Sequence, residues 1–212
     1  MRHLAYAVVL LISLSACAAN SSFPARPKLP YPAWYVGLAA PQNMEVWVET
    51  VDVLDQRGLA FFRVHGGVAS YTGQPDGWHK GGGKSKPINN VDLPDQIFLR
   101  WQSLVEPQAY KVLIKIPQWV RYEMIKPQRE FCSWDQEVVT LYRNTISLGM
   151  APGGIVKVWV GAGCLEHKEV GRFQADVEPL GPYRGASKGK YIPLEPENKA
   201  YVEQHGIPYG SW

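Results

Sequence analysis

Residues 44–64 read MEVWVETVDVLDQRGLAFFRV, and this stretch decides the fold class. Polar and apolar residues alternate from Met44 to Leu54. The alternation puts Val46, Val48 and Thr50 on one face, and Trp47, Glu49 and Val51 on the other. Asp55-Gln56-Arg57-Gly58 then supplies a turn with glycine where a positive φ is needed, and Leu59 to Val64 returns. The stretch therefore predicts a β-hairpin.

Other segments extend the same β pattern along the chain. Strands are predicted at 34–39, 96–103 and 109–116, with a further hairpin of 146–150 and 155–160 around Pro152-Gly153-Gly154. Short helices are predicted at 117–125, 134–144 and 195–205, the last followed by Gly206. The sum is a mostly β fold with minor α content: an antiparallel sandwich or partly closed barrel.

The N-terminus has the features of an export signal. A basic start, Met1-Arg2-His3, precedes an apolar run too short to span a bilayer, and Leu14-Ser15-Ala16-Cys17 follows. The pattern predicts a signal peptide at 1–16 and lipidation of Cys17 by diacylglycerol and a further acyl chain such as palmitate. A secreted protein with an incidental cysteine, or a cytoplasmic one with an apolar first strand, are the alternatives.

Residues 17–30 are rich in proline and small polar residues, which predicts an extended tether before one globular domain at 31–212. Ala18 stands where an aspartate would favour retention at the inner membrane, so an outer-membrane location facing the periplasm is expected. The formal net charge of +3 falls to +2 without Arg2, which is too balanced to indicate nucleic acid as a partner.

With Cys17 lipidated, Cys132 and Cys164 remain. In an oxidising compartment such a pair predicts a disulfide, and a catalytic thiol assisted by His167 is the alternative.

Residues 66–90 are rich in glycine and poor in aliphatic residues, which predicts a surface loop. Aromatic and cationic side chains alternate there on a flexible backbone, as in protein interaction surfaces; a solvated loop with Trp78 packed back on the domain is the alternative. Together with the C-terminus, the loop supplies the candidate partner-binding residues: Trp78, His79, Lys80, Lys84, Lys86, Tyr209 and Trp212.

No pattern for cofactor chemistry stands out. Gly83-Lys84-Ser85 matches the end of a phosphate-binding loop, but Trp78 occupies the position of its first glycine. The histidines after the signal are single, so no metal site and no cofactor are predicted. There is no Gly-x-Ser-x-Gly motif, and scattered carboxylates leave a glycosidase pair open. The sequence favours a binding protein over an enzyme.

Four strings resemble a proteobacterial lipoprotein family catalogued as a domain of unknown function: residues 32–41 (PAWYVGLAAP), 99–108 (LRWQSLVEPQ), 153–159 (GGIVKVW) and 205–212 (HGIPYGSW). The resemblance covers nearly the whole chain after the signal. It implies a genomic setting beside type VI secretion genes for phospholipase effectors, and a role as an immunity protein that inhibits such an effector. Two other functions stay open: a structural or assembly lipoprotein that binds other envelope components, and a hydrolase of unknown type.

Overall fold

Two five-stranded sheets pack face to face in the computed structural model, which describes residues 25–69 and 83–212. The predicted signal peptide, Cys17 and the Trp78-His79-Lys80 motif lie outside the described residues. The strands are β1 Ala33–Ala39, β2 Val46–Asp55, β3 Ala60–Ala69, β4 Lys84–Asn89, β5 Pro94–Ser103, β6 Gln108–Lys115, β7 Gln128–Cys132, β8 Glu137–Leu141, β9 Thr145–Ala151, β10 Ile155–Ala162, β11 Leu165–Gln174 and β12 Asp176–Val177. The helices are α1 Gln118–Ile125 and α2 Pro196–His205.

The strand order explains the sandwich. One sheet runs β11-β10-β9-β1-β4 and the other β12-β6-β5-β2-β3, while β7 and β8 form a separate ribbon. Neighbouring strands pair antiparallel, except that β1 lies parallel to β9. Within the described residues the sheets do not close into a barrel, so the predicted fold class is confirmed as a β sandwich.

A single apolar core joins the two sheets. Strands of both contribute residues that are almost fully buried, including Trp34 and Trp101, and most of the rest are valine, leucine and isoleucine. β-Branched residues suit this position because their stiff side chains pack well on a pleated surface. The core therefore follows from the alternating pattern of the strands, as the sequence indicates.

The β2–β3 hairpin is confirmed, but its predicted side-chain alternation is wrong after Val48. The β2 register against β5 passes from Val48↔Trp101 to Thr50↔Arg100, so β2 holds one extra residue at this point. Such a bulge inverts the alternation beyond it. Val51 consequently joins Val46 and Val48 in the core, whereas the prediction placed it on the opposite face.

The predicted surface loop at 66–90 is partly wrong, because strands occupy both of its ends. β3 extends to Ala69, and β4 pairs antiparallel with β1 along six positions. Ile88 of β4 is buried in the core. Few aliphatic residues suffice here because β4 is an outer strand, which buries fewer of its side chains than a central one.

The helix predicted at 134–144 is also wrong. Residues 137–141 form β8, which pairs with β7 and contains three consecutive β-branched residues, Val138-Val139-Thr140. Cys132, at the end of β7, forms a disulfide with Cys164 in the turn between β10 and β11, as predicted. The disulfide and the β-branched residues favour a ribbon over a helix.

Both remaining helices are confirmed. α1 begins after Pro117 and buries Val120 and Met124 in the core. α2 ends at His205 and is followed by Gly206, whose φ is 71°. No helix in residues 25–69 and 83–212 has the length and apolar character needed to cross a bilayer.

We predict that a Cys132→Ala/Cys164→Ala double variant unfolds more easily. The disulfide joins residues separated by 32 positions, and closing a loop of that size stabilises by about 3–4 kcal/mol in the chain-entropy model. Urea unfolding of residues 17–212 carrying Cys17→Ser measures the difference. Dithiothreitol should reproduce the loss in the parent and leave the double variant unchanged; an unchanged midpoint in the double variant would contradict the prediction.

Candidate functional site

A hollow on the described surface lies between β3 and β4. These are the outer strands of opposite sheets, and they do not pair with each other. One space, of about 420 Å³, is lined by Arg63, His65, Lys84 and Lys86 among others. A neighbouring space of about 540 Å³ is also lined by Arg63 and Lys86, and adds apolar side chains. We call the two spaces together the edge groove.

The register of β4 directs two lysines into this groove. Lys84, Lys86 and Ile88 alternate along the strand and therefore share one face. Ile88 is buried in the core, and the β1 residues opposite the two lysines, Leu38 and Val36, are buried as well. Lys84 and Lys86 thus occupy core-facing positions, yet both remain exposed because the sheets separate there.

The β3 side of the groove is polar because residues other than large apolar ones occupy its core-facing positions as well. His65 and Gly67 lie opposite Val51 and Val48 of β2, so they too occupy the core face. Between His65 and the hairpin turn, Arg63 adopts a φ of 53°, and its backbone N–H donates to Asp52 Oδ1 at 2.8 Å. This left-handed conformation is uncommon outside glycine, and such strain is often held at functional sites.

His65 connects the two strand edges. Its Nε2 lies 3.1 Å from the carbonyl oxygen of Lys84, and Nδ1 accepts from the N–H of Gly66 at 2.8 Å. Burial is the main cause that lowers the pKa of His65, and the charges of Lys86 and Lys84 lower it further. The ring is therefore kept neutral at neutral pH, and the net positive charge in the groove comes from Arg63, Lys84 and Lys86.

Among the described residues, no carboxylate forms an ion pair with Arg63, Lys84 or Lys86. Glu49 of β2, which also lines the smaller space, is already occupied. Its carboxylate binds Arg100 Nε at 2.7 Å, Gln102 Nε2 at 3.0 Å and the backbone N–H of Tyr183 at 2.7 Å. Within residues 25–69 and 83–212, the groove therefore carries positive charge that no ion pair compensates.

A second cluster holds the C-terminal candidates in place. Glu106 Oε1 accepts the N–H of Gly153 at 2.8 Å and the hydroxyl of Tyr209 at 2.9 Å, and the hydroxyl of Tyr110 lies within 3.4 Å of either oxygen. The pKa of Tyr209 is raised to about 12, mainly by burial away from water and then by the hydrogen bond and charge of the Glu106 carboxylate. Trp212 donates from Nε1 to the Pro152 carbonyl at 3.1 Å.

A family model described as a protein of unknown function (DUF2931) matches residues 19–210. The chain belongs to this family. No curated protein and no solved structure matches the chain. The DUF2931 model spans both the edge groove and the Glu106 cluster, and its description names no activity.

The candidate residues predicted for this DUF2931 protein fall in three places. Lys84 and Lys86 line the edge groove. Tyr209 is exposed at the Glu106 cluster, whereas Trp212 is only 8% exposed, so a partner reaches its indole only if the C-terminus moves. Trp78, His79 and Lys80 lie outside the described residues. Within the described part, no group of His, Cys, Asp and Glu side chains is arranged to hold a metal ion.

Sequence reasoning missed Arg63 and overlooked His65 as part of a binding surface. A usable signal was present, because the returning strand changes after Val64 from large apolar residues to His65-Gly66-Gly67. A strand whose core-facing positions become histidine and glycine no longer fills the space between two sheets.

We predict that acidification destabilises the protein through His65. Because its pKa is lower in the folded state, the unfolded chain binds the proton more tightly below about pH 6.5, and stability is lost as the pH falls through that range. Thermal unfolding between pH 8 and 5 should therefore show a smaller decrease for His65→Gln than for the parent. His205→Gln, on the exposed end of α2, is the control, and an identical pH dependence in all three proteins would refute the assignment to His65.

Proposed function

We propose that this DUF2931 protein is a lipid-anchored, periplasm-facing immunity protein that binds and inhibits a type VI secretion phospholipase effector. The observation that carries a binding role is the uncompensated positive charge of Arg63, Lys84 and Lys86 around an open groove. Charges without partners in one chain favour a complementary surface on another, where they increase the association rate and select the partner. An acidic surface around the effector's active site would fit.

Inhibition would be stoichiometric. The folded domain would cover the mouth of the effector's active site, and no turnover by this chain is required. A contact of this kind needs a small central group of side chains whose loss costs much of the affinity. The edge groove supplies cations, and Phe62, which lines the apolar part of it, is 75% exposed at its rim.

The proposed anchor supports the same role. Cys17 follows Leu14-Ser15-Ala16, the sequence pattern of a bacterial lipoprotein, and two or three acyl chains hold a protein stably where a single chain does not. A phospholipase in the periplasm acts on membrane lipid. An inhibitor tethered to a membrane, by preference the outer one, is therefore concentrated in the layer where the substrate lies.

We predict that a Lys84→Glu/Lys86→Glu variant loses inhibition of the cognate effector. Reversing two charges replaces attraction by repulsion, so we expect the dissociation constant to rise by about 100-fold, with most of the change in the association rate at low salt. The measurement is effector lipase activity at increasing ratios of residues 17–212 carrying Cys17→Ser. Lys115→Glu is the matched control, since Lys115 is an exposed strand lysine on β6, three strands away from β3.

Equal inhibition by the double variant and the control would show that the groove is not part of the effector-binding surface. A pull-down from the native cell tests the function itself. Recovery of a lipase-like effector whose activity disappears at equimolar mixing supports immunity. Recovery of envelope assembly proteins, with the effector present in the lysate but not bound, would replace immunity by a structural or assembly role.

A further inference from the structure

The edge groove has two chemically different arms that meet at shared residues. Arg63 and Lys86 line both spaces. On one side lie Lys84, the neutral His65 and Glu49, whose carboxylate is paired with Arg100. Together with Arg63 and Lys86, Lys84 makes this a cationic arm. On the other side lie Phe61, Val64, Ile88 and Val91, which make an apolar arm. A ligand that filled both arms would need a charged end and a hydrocarbon end.

We propose that the edge groove binds an anionic single-chain amphiphile, with its carboxylate or phosphate in the cationic arm and its acyl chain along the apolar arm. Fatty acids and lysophospholipids share this chemistry. The inference rests on the shape and charge of the groove, and it does not depend on the effector proposal.

The cationic arm fits an anionic head group. The core-facing positions of Lys84 and Lys86 direct both ammonium groups toward the gap between the sheets, and Arg63 stands across the gap on β3. Guanidinium and ammonium groups bind carboxylate and phosphate through charge-assisted hydrogen bonds, which are about twice as strong as neutral ones. Glu49 does not compete for these cations, because Arg100, Gln102 and Tyr183 already occupy its carboxylate.

The apolar arm fits a chain. Ile88 and Val91 are buried at its base, and Phe61 and Val64 are partly buried against the core. Phe62 extends from its rim with 75% of its surface exposed. Volumes of about 420 and 540 Å³ fall in the range of small-molecule sites, which are mostly apolar with a few polar groups that fix orientation.

The same strand argues against an added peptide strand as the occupant. Pro87 lies in the middle of β4 and has no N–H to donate, and lysines on an outer strand disfavour edge-to-edge pairing. A free inorganic anion would leave the apolar arm without a partner. The amphiphile is the ligand class that matches both arms.

Isothermal titration with residues 17–212 carrying Cys17→Ser tests the proposal. The ligands are decanoate and decyl phosphate, kept below their micelle-forming concentrations. Decyl maltoside tests the chain without the charge, and inorganic phosphate tests the charge without the chain. We expect saturable one-to-one binding of both anionic amphiphiles, weakened by salt, and affinities lower by about tenfold or more for each control ligand.

Two variants locate the ligand. Lys84→Gln/Lys86→Gln should weaken decyl phosphate binding by about tenfold, and Val64→Thr should weaken it by a few-fold through the polar hydroxyl in the apolar arm. Lys115→Gln, the matched surface change on β6, should leave binding unchanged, and circular dichroism confirms that each variant is folded. An NMR titration should show the His65 pKa rising when decanoate binds, because an anion offsets the two lysine charges.

Four results would overturn the proposal: equal binding by the lysine and Lys115 variants, equal binding of decyl maltoside, phosphate binding as tight as decyl phosphate, or binding only above the micelle concentration. The last would leave Lys84, Lys86 and Pro87 with the role of protecting an outer strand from aggregation. If the protein binds decanoate but does not inhibit the effector, the proposed function fails and the amphiphile site stands.

Discussion

The extra residue in β2 is the constraint on which the rest of the molecule depends. Glu49 and Thr50 together occupy the place of a single residue opposite β5, and the same irregularity is met on the other side by Gly66 of β3. A Cβ at Gly66 would lie 3.1 Å from the carbonyl oxygen of Val48, which is tight for any other residue. The bulge allows all four core valines of β2 to face inward on both sides of a polar pair.

Glu49 gains a second role from its place at the bulge. Turned away from the core, its carboxylate holds Arg100 and Gln102 of the neighbouring strand and the backbone of Tyr183 in the C-terminal segment. Glu45 similarly accepts the N–H of Glu195 and the side-chain amide of Asn198. Glu106 then holds Tyr209. Three carboxylates of the sheet region thus bind the C-terminal third. The hydrogen bonds of Glu106 bring Gly153 and Tyr209 together although the three residues are far apart in sequence.

The sequence predicts the fold class well and the groove poorly, for one physical reason. Period-two alternation is a local property, so it correctly identifies the β2–β3 hairpin and the strands β5, β6, β9 and β10. The disulfide between Cys132 and Cys164 follows separately from the number of cysteines. A bulge breaks the alternation without a composition signal, so the alternation assigns Thr50 and Val51 to the wrong faces.

The sequence of the ribbon strand β8 predicts a helix, because the stability of this strand depends on β7 and the disulfide, which are tertiary features. Lys84 and Lys86 were identified as candidate contacts, but their neighbours Arg63 and His65 come from a strand in the other sheet, and no local pattern brings them together.

An open edge between two sheets ordinarily exposes unpaired backbone, and proteins protect such edges with lysine, proline and inward-facing charges. β4 contains all three features in Lys84, Lys86 and Pro87. Edge protection accounts for these three residues of β4, but it gives no reason for Arg63, Phe61 and Val64 of β3 to line the same gap. In this protein the charges stand on core-facing positions, opposite a histidine and an arginine of the other sheet and beside apolar residues that continue the core. The core face of β4 changes from Ile88 to Lys86 and Lys84 within one strand, which creates a boundary between apolar and cationic surface. That boundary has the chemistry of a site for a charged group attached to an apolar one.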